Sequence, residues 1–249
     1  MKAIKKYFNN LFFLKNAPPI FEKTYQSMNK SKAYRDYCEK VHGTSFSCWN
    51  TLSPLQLNFL EEYFETKRPK SFLDIGSGNG ELTKYLSKKY SAKATGIDFA
   101  TMPNSSKEVE FIRDQFLNTS FNKKYEFIIS NDSFYMITSY KKYLRKCLSL
   151  LENNSHMIIL FSLVNEKFDK SPLRKALDSL QLNYEIKDFT ADDYEFWKKS
   201  QSILEQTNQA FVDESQFSLW NIKKKEADKN IQLHNSNNIQ RLGLVIQRG

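Results

Sequence analysis

Glycine is scarce in this chain, at seven in 249 residues, and cysteine scarcer, at three. The low glycine content excludes glycine-rich repeats or linkers, and no internal repeat of any period is present. Cys38, Cys48 and Cys147 make no metal-ligand spacing, so no zinc or iron site is readable and no metal is assigned. So few cysteines point to a reducing, cytoplasmic setting rather than a disulfide scaffold. Long apolar runs are also missing. Lys2, Lys5 and Lys6 precede an apolar patch, but Asn9, Asn10 and Lys15 interrupt it. The patch is too short for a secretory core and far too short to span a bilayer. Ile4, Phe8, Leu11 and Phe12 instead share one helical face, suited to packing on the domain or on a partner subunit, a homodimer included; contact with a membrane surface is a lesser reading. Acidic residues are sparse at this end: residues 1–35 carry eight basic side chains against Glu22 alone, and hold most of the net charge of +9. A solvated arm is the simplest reading of that excess.

What is present is a hydrophobic fraction of 40%, with twenty Phe and thirteen Tyr, enough for one full α/β core plus helical additions. Three of the seven glycines fall in one five-residue stretch, within KSFLDIGSGNGELTKYLSKKYSAKATGIDF. This reads as a strand (71–75), a turn at Gly76, Gly78 and Gly80, an amphipathic helix with Leu82, Tyr85 and Leu86 on one stripe, and a second strand ending at Asp98. Backbone without Cβ atoms between a strand and a helix passes directly beneath a bound ligand. The run D-x-G-x-G-x-G from Asp74 differs from the dinucleotide fingerprint G-x-G-x-x-G. It has no basic residue in the turn, and Asp74 would repel a phosphate while suiting an ammonium. Asp98, at the next strand end, can accept from two adjacent ribose hydroxyls. A ribose for Asp98 and an amino group for Asp74 together fit S-adenosylmethionine.

These residues resemble motifs I and II of the class I S-adenosylmethionine-dependent methyltransferases, small-molecule type. The resemblance continues through FIRDQF (111–116), YEFIISNDSFYMI (125–137) and RLGLVIQ near the C-terminus. It implies an α/β fold, with a Rossmann-like, seven-stranded, mostly parallel sheet and helices on both faces. It also implies a cofactor site drawn from Asp74, Gly76, Ser77, Gly78, Gly80, Asp98, Phe99, Met102, Asp114, Gln115 and Asn131, with Asp114 near the adenine amine. One departure stands out: FATMPNSSKE (99–108) replaces the usual helix between the second and third strands, and is expected to be a loop or single turn.

Along the chain, residues 1–66 read as a helical arm and lid, and 67–249 as the core. Ser53-Pro54-Leu55-Gln56 is a helix start with serine at the N-cap and proline at N1. The chain is expected to turn at His42-Gly43. Strands are expected at 110–113, 126–130, 157–161, 184–189 and 241–246, with Asn153-Asn154-Ser155 as a turn. Ser171-Pro172 opens a short helix. Thr190-Ala191-Asp192-Asp193 reads as a capping box opening a helical cover at about 190–235 with one break, and HNSNN (234–238) as a disordered linker.

The resemblance implies that the N-terminal segment folds over the cofactor as a lid and that the insertion before the last strand covers the substrate. Tyr25, Tyr34 and Trp49 in the lid, with Tyr194 and Trp197 in the cover, are the candidate substrate-binding residues; core packing is an equal reading for the lid residues. Asp132 and Tyr135, after the fourth strand, are the candidate catalytic groups, with His42 a third. For Asp132 the competing role is a helix N-cap. A small-molecule acceptor, most suitably an amine nitrogen, is the expected partner. A nucleic-acid methyltransferase is the alternative, weakened because Asn131-Asp132-Ser133-Phe134 lacks the prolines of N/D-P-P-Y/F, and nucleic acid is therefore not the expected partner. A cofactor-binding scaffold without turnover is the third reading.

Overall fold

The computed structural model describes residues 17–44, 46–100, 103–134, 137 and 139–249. Seven strands form one sheet in the order β3-β2-β1-β4-β5-β7-β6. They are β1 (Ser71–Ile75), β2 (Lys93–Asp98), β3 (Val109–Arg113), β4 (Tyr125–Asn131), β5 (Leu151–Val164), β6 (Tyr184–Asp188) and β7 (Ile239–Gln247). Every neighbouring pair is parallel except those made by β7, which lies antiparallel between β5 and β6. The chain winds outward one way from β1 and the other way from β4, so the strand order switches between these two. In open α/β sheets ligands lie outside the carboxyl ends at such a point. Asp74 and Asn131 stand at those two ends.

Helices cover both faces, and the period of two along each strand sorts the side chains between them. Leu73 and Ile75 face α5 (Tyr140–Leu150) and α6 (Pro172–Ser179), packing with Tyr143, Leu144, Leu173 and Leu177. Phe72 and Phe127 face α3 (Pro54–Lys67) and α4 (Glu81–Tyr90), packing with Leu60, Phe64 and Leu86. Because both faces are covered, the central strands read as nearly continuous apolar runs. A third cluster joins helical residues 17–30 (α1) and α2 (Lys32–His42) to α7 (Thr190–Asp213) and α8 (Phe217–Asn235) through Met28, Tyr34, Tyr37, Phe196, Trp197 and Leu204. The N-terminal helices and the insertion before β7 therefore make one helical layer, although residues 43–189 separate them.

Local signals set most of the boundaries. The Ser53 hydroxyl accepts from the Gln56 amide with Pro54 in the first turn, and Ser171 accepts from Arg174 ahead of Pro172 in the same way. α2 ends at Gly43 in the left-handed region. None of the described residues between Asp98 and Val109 is helical, as the interrupted stretch predicts.

Three local expectations are corrected. The capping box at Thr190 does not form: its hydroxyl accepts the Arg241 amide, while Asp192 is drawn to Ser53 and Gln56 by tertiary contacts. Asn153-Asn154-Ser155 is no free turn but an excursion within a longer β5. Pairing passes from Tyr125↔Leu151 to Phe127↔His156, with Asn154 in the left-handed conformation that asparagine tolerates. Residues 234–238 form the end of α8 and the turn after it: Ser236 and Asn238 amides reach back to the Gln232 and Leu233 carbonyls, and the buried His234 imidazole bonds Asp193 at 2.8 Å.

Candidate active site

Two pockets open at the carboxyl end of the sheet and share Gly76. The wider, of about 260 Å³, is lined by the ends of β1 and β2 and by the segment after β3, including Ile75, Asp98, Phe99, Asp114, Gln115 and Ile137. The narrower, of about 30 Å³, lies between the glycine turn and residues 46–50 and includes Trp49, Asp74, Ser77, Gly78 and Asn131.

The turn between them requires glycine. Gly76 has φ 79°, and a Cβ there would stand 2.4 Å from the Ser133 Cβ. Gly78, with φ 57°, lies under the Tyr25 hydroxyl, 3.3 Å from where a Cβ would be. Gly80 is the N-cap of α4 and supplies no side-chain oxygen.

The two carboxylates are held differently. Asp98 accepts the Gly78 amide at 3.1 Å and the Ala100 amide at 2.9 Å, one on each oxygen, with the Phe99 amide also drawn to the carboxylate, which still keeps some acceptor capacity. Burial pushes its carboxyl up, against the pull of those amides. Asp74 is 3% exposed and, among the described residues, accepts the Thr83 hydroxyl at 2.6 Å and no other donor. Burial pushes it up to about 7, with Thr83 opposing and Asp98 adding to the rise. A cation beside Asp74 would restore its charged form at neutral pH. In the same pocket the Ser77 hydroxyl and the Asn131 Nδ2 are buried without a partner among the described residues.

Residues 46–51 roof the narrow pocket and are tied down along their length. Asn79 donates to the Ser47 carbonyl at 3.2 Å, Asn50 to the Asn131 carbonyl at 2.8 Å, and the Thr51 amide to Asp132 Oδ2 at 2.9 Å. From the helical layer the buried Lys223 donates to the Trp49 carbonyl at 3.1 Å and sits 4.7 Å over the indole.

The structure thus brings together Asp74, Gly76, Ser77, Gly78, Asp98, Phe99, Asp114, Gln115, Asn131 and Trp49, while Gly80 caps α4 outside both pockets. Asp114 turns its carboxylate toward the Gln115 amide and the Thr119 hydroxyl. Tyr34 is fully buried, donating to the Cys48 carbonyl behind the roof. Tyr194 bonds Asn235, and Trp197 packs inside the helical layer; neither lines the two pockets. His42 is also outside them, with Nδ1 on the Leu52 carbonyl at 2.9 Å, and burial lowers it to about 3. Asp132 is occupied, with one oxygen on the Thr51 amide and the other paired with the Arg241 guanidinium. Burial pushes its carboxyl up and Arg241 pulls it back. Met102 and Tyr135 lie outside the described residues.

Arg241 escaped the sequence reading as a site residue, as did Thr83, Ser133 and Lys223. The available signal was a lone arginine in the strand RLGLVIQ, since a charge in a buried strand demands partners.

A family model for a methyltransferase domain matches residues 52–216, more than half of the chain. The chain belongs to the methyltransferase domain family. The class I resemblance read from the glycine turn and the strand-end acids stands, and so does the seven-stranded architecture. A search of curated protein sequences finds no significant match. Among solved structures, this methyltransferase is similar in fold to phosphoethanolamine N-methyltransferase 2 of Haemonchus contortus, in complex with phosphomonomethylethanolamine and S-adenosylhomocysteine (TM-score 0.69, 13% identity). The alignment covers 92% of this chain but 60% of that one, so the chain spans under two thirds of that relative's length. A cyclopropane synthase of Mycobacterium tuberculosis aligns with TM-score 0.64 and 10% identity, over 89% of this chain and 98% of that one. A geranyl diphosphate C-methyltransferase of Streptomyces coelicolor aligns with TM-score 0.56 and 13% identity, over 78% and 80%.

Proposed function

We propose that this methyltransferase binds S-adenosylmethionine across Gly76 and transfers its methyl group to a small-molecule acceptor, with an amine nitrogen as the acceptor atom. The observation that carries the reading is the pairing of two unlike pockets on one glycine turn. Asp98 at the wide one is placed for a ribose diol, and Asp74 at the narrow one for an ammonium. The fit is supported by Asp98's spare acceptor capacity and by the unpartnered Ser77 hydroxyl and Asn131 amide beside Asp74. A phosphate-bearing dinucleotide fits poorly, because among the described residues the charged side chain lining the narrow pocket is the acid Asp74.

When bound, the sulfonium supplies an activated carbon with a neutral leaving group, so the chemistry is an in-line displacement that asks mainly for positioning and exclusion of water. The chain's residues serve those two ends. The roof at 46–51, fastened to β4 and to α8, shuts water from the narrow pocket, and Trp49 gives an acceptor an apolar wall. His42, lowered to about 3 and bonded to a carbonyl, is a neutral packing group at physiological pH. Asp132, paired with Arg241, orients the roof rather than taking a proton.

We assign residues 1–66 as arm and lid and residues 67–249 as the core with its cover at about 190–235. The three free, buried cysteines accord with a cytoplasmic setting. None of the helices among the described residues is long and apolar enough to cross a membrane.

The deciding experiment incubates the protein with methyl-labelled cofactor and a metabolite extract and identifies the labelled product by mass. Label on an amine is the expected result. Tight cofactor binding without label transfer would replace the enzyme reading with a scaffold. Transfer to RNA, with steep salt dependence, would replace the acceptor class.

A further inference from the structure

Arg241 lies near the start of β7, fully buried, and its guanidinium ties together α3, the roof, Ser162 of β5 and the end of β4. Nε and Nη2 donate to Gln56 Oε1 at 3.0 and 2.9 Å, Nη2 also to the Thr51 carbonyl at 2.6 Å and Asn131 Oδ1 at 3.0 Å, and Nη1 pairs with Asp132 Oδ1. A guanidinium has donors and no acceptor. The Asn131 carboxamide must therefore turn its oxygen to Arg241, which fixes the otherwise ambiguous choice between its two branches. The other branch, Nδ2, is left buried without a partner in a residue that lines the narrow pocket. The second side of Asn131 is fixed too, since its main-chain carbonyl accepts from Asn50 of the roof. An unsatisfied buried donor is costly, and its place in the same pocket as Ser77 and Asp74 calls for a ligand acceptor.

We infer that Arg241 is a positioning residue: it locks the Asn131 amide with Nδ2 toward the narrow pocket, where that N–H donates to a carboxylate on the ligand's tail. The inference rests on the cofactor reading above and adds the polarity of the pocket's far wall: Asp74 takes the ammonium and Asn131 the carboxylate. The same arginine grips the Thr51 carbonyl while its partner Asp132 grips the Thr51 amide, so roof position and amide orientation depend on one buried ion pair.

The test compares two probes in calorimetric titrations of the full chain. S-Adenosylhomocysteine carries the amino-acid tail, and 5′-methylthioadenosine lacks it. Asn131→Asp keeps an oxygen for Arg241 but turns the pocket-facing donor into an acceptor. It should weaken S-adenosylhomocysteine tenfold or more and leave methylthioadenosine within about twofold. Arg241→Lys, with its fold checked by thermal melting, frees the amide and should lower the preference for the tailed probe in the same direction. If Asn131→Asp weakens both probes equally, or neither, the assigned contact is wrong while the cofactor reading survives. A folded Arg241→Lys with wild-type preference overturns the positioning role. A wild-type chain that binds neither probe removes the cofactor reading and this inference together.

Discussion

The wide pocket at Asp98 and the narrow pocket at Asp74 share Gly76 but are assembled on different length scales. The wide one is built almost wholly from residues 75–143, as consecutive strand ends, and Asp98 is steadied by amides at most twenty residues away. The narrow one has a floor from the same glycine turn, but its wall and roof come from residues 46–51, Asn131 and, behind them, Arg241 and Lys223. The contrast separates what this fold does in general from what this chain does in particular. Strand ends at a switch point make a ligand crevice in any doubly wound sheet. The closure over the second half depends on contacts between parts of the chain up to 190 residues apart.

The sharpest way to break the contrast is to remove the long-range anchor. Arg241→Leu leaves Asp132 buried without its counter-charge, and loss of one partner of a buried pair costs about 3–5 kcal/mol. Denaturant titration should report that loss; an unchanged midpoint would mean that the roof is held without the ion pair. The next largest effect belongs to the wide pocket. Asp98→Ala would remove the two ribose hydrogen bonds proposed for it, at ~1 kcal/mol or more each, so cofactor affinity should fall about thirtyfold. Unchanged affinity by calorimetry would unseat Asp98 as the ribose ligand.

Asp74→Asn probes the narrow pocket and has opposite effects on binding and stability. The folded-state value of about 7 lies above the ordinary 3.8, so the native state holds a proton that the unfolded chain releases between those values. Asp74's contribution to stability is therefore complete below about pH 4 and is lost as pH rises through about 7. The asparagine variant should lack that loss and melt higher than wild type at pH 8, while binding S-adenosylhomocysteine about tenfold more weakly, one charge-assisted hydrogen bond at roughly 1.5 kcal/mol. Wild-type affinity should itself decline below about pH 7 as Asp74 takes up its proton. A wild-type melting point at pH 8, or affinity flat from pH 8 to 5.5, would contradict the assignment. Ser77→Ala should have the smallest effect. The hydroxyl has no partner, so its removal should leave stability within about 0.5 kcal/mol and weaken the tailed probe by about fivefold. Equal weakening of methylthioadenosine would move Ser77 to the other half of the cleft.

The wide pocket was legible because its signals are local. A glycine spacing, an acid at a strand end and a break in helical pattern each lie within a few residues of the structure they cause. The expected β1 matches the observed strand, β2 ends at Asp98 as read, and the interrupted 99–108 stretch holds no helix among its described residues. The misreadings occur where a residue with a good local role found a better distant partner. Thr190 and Asp192 had the pattern of a cap, yet they serve Arg241, Ser53 and Gln56. Asp132 follows β4, at the ligand end of the sheet that made it a catalytic candidate, and its carboxylate is taken by residues 51 and 241. Tyr194 and Trp197 carry the aromatic chemistry of a substrate wall, but α7 turns them toward α8 and the helical layer.

The sequence by itself determined the sheet, the switch point and the two carboxylates on the glycine turn, because hydrophobic period, left-handed turn positions and strand-end acids are properties of short segments. Only the tertiary structure decided which polar groups stay free to meet a ligand. In a buried site every donor and acceptor seeks a partner, and the partners that take Asp132 and orient Asn131 lie on strands and loops that meet only once the chain is folded.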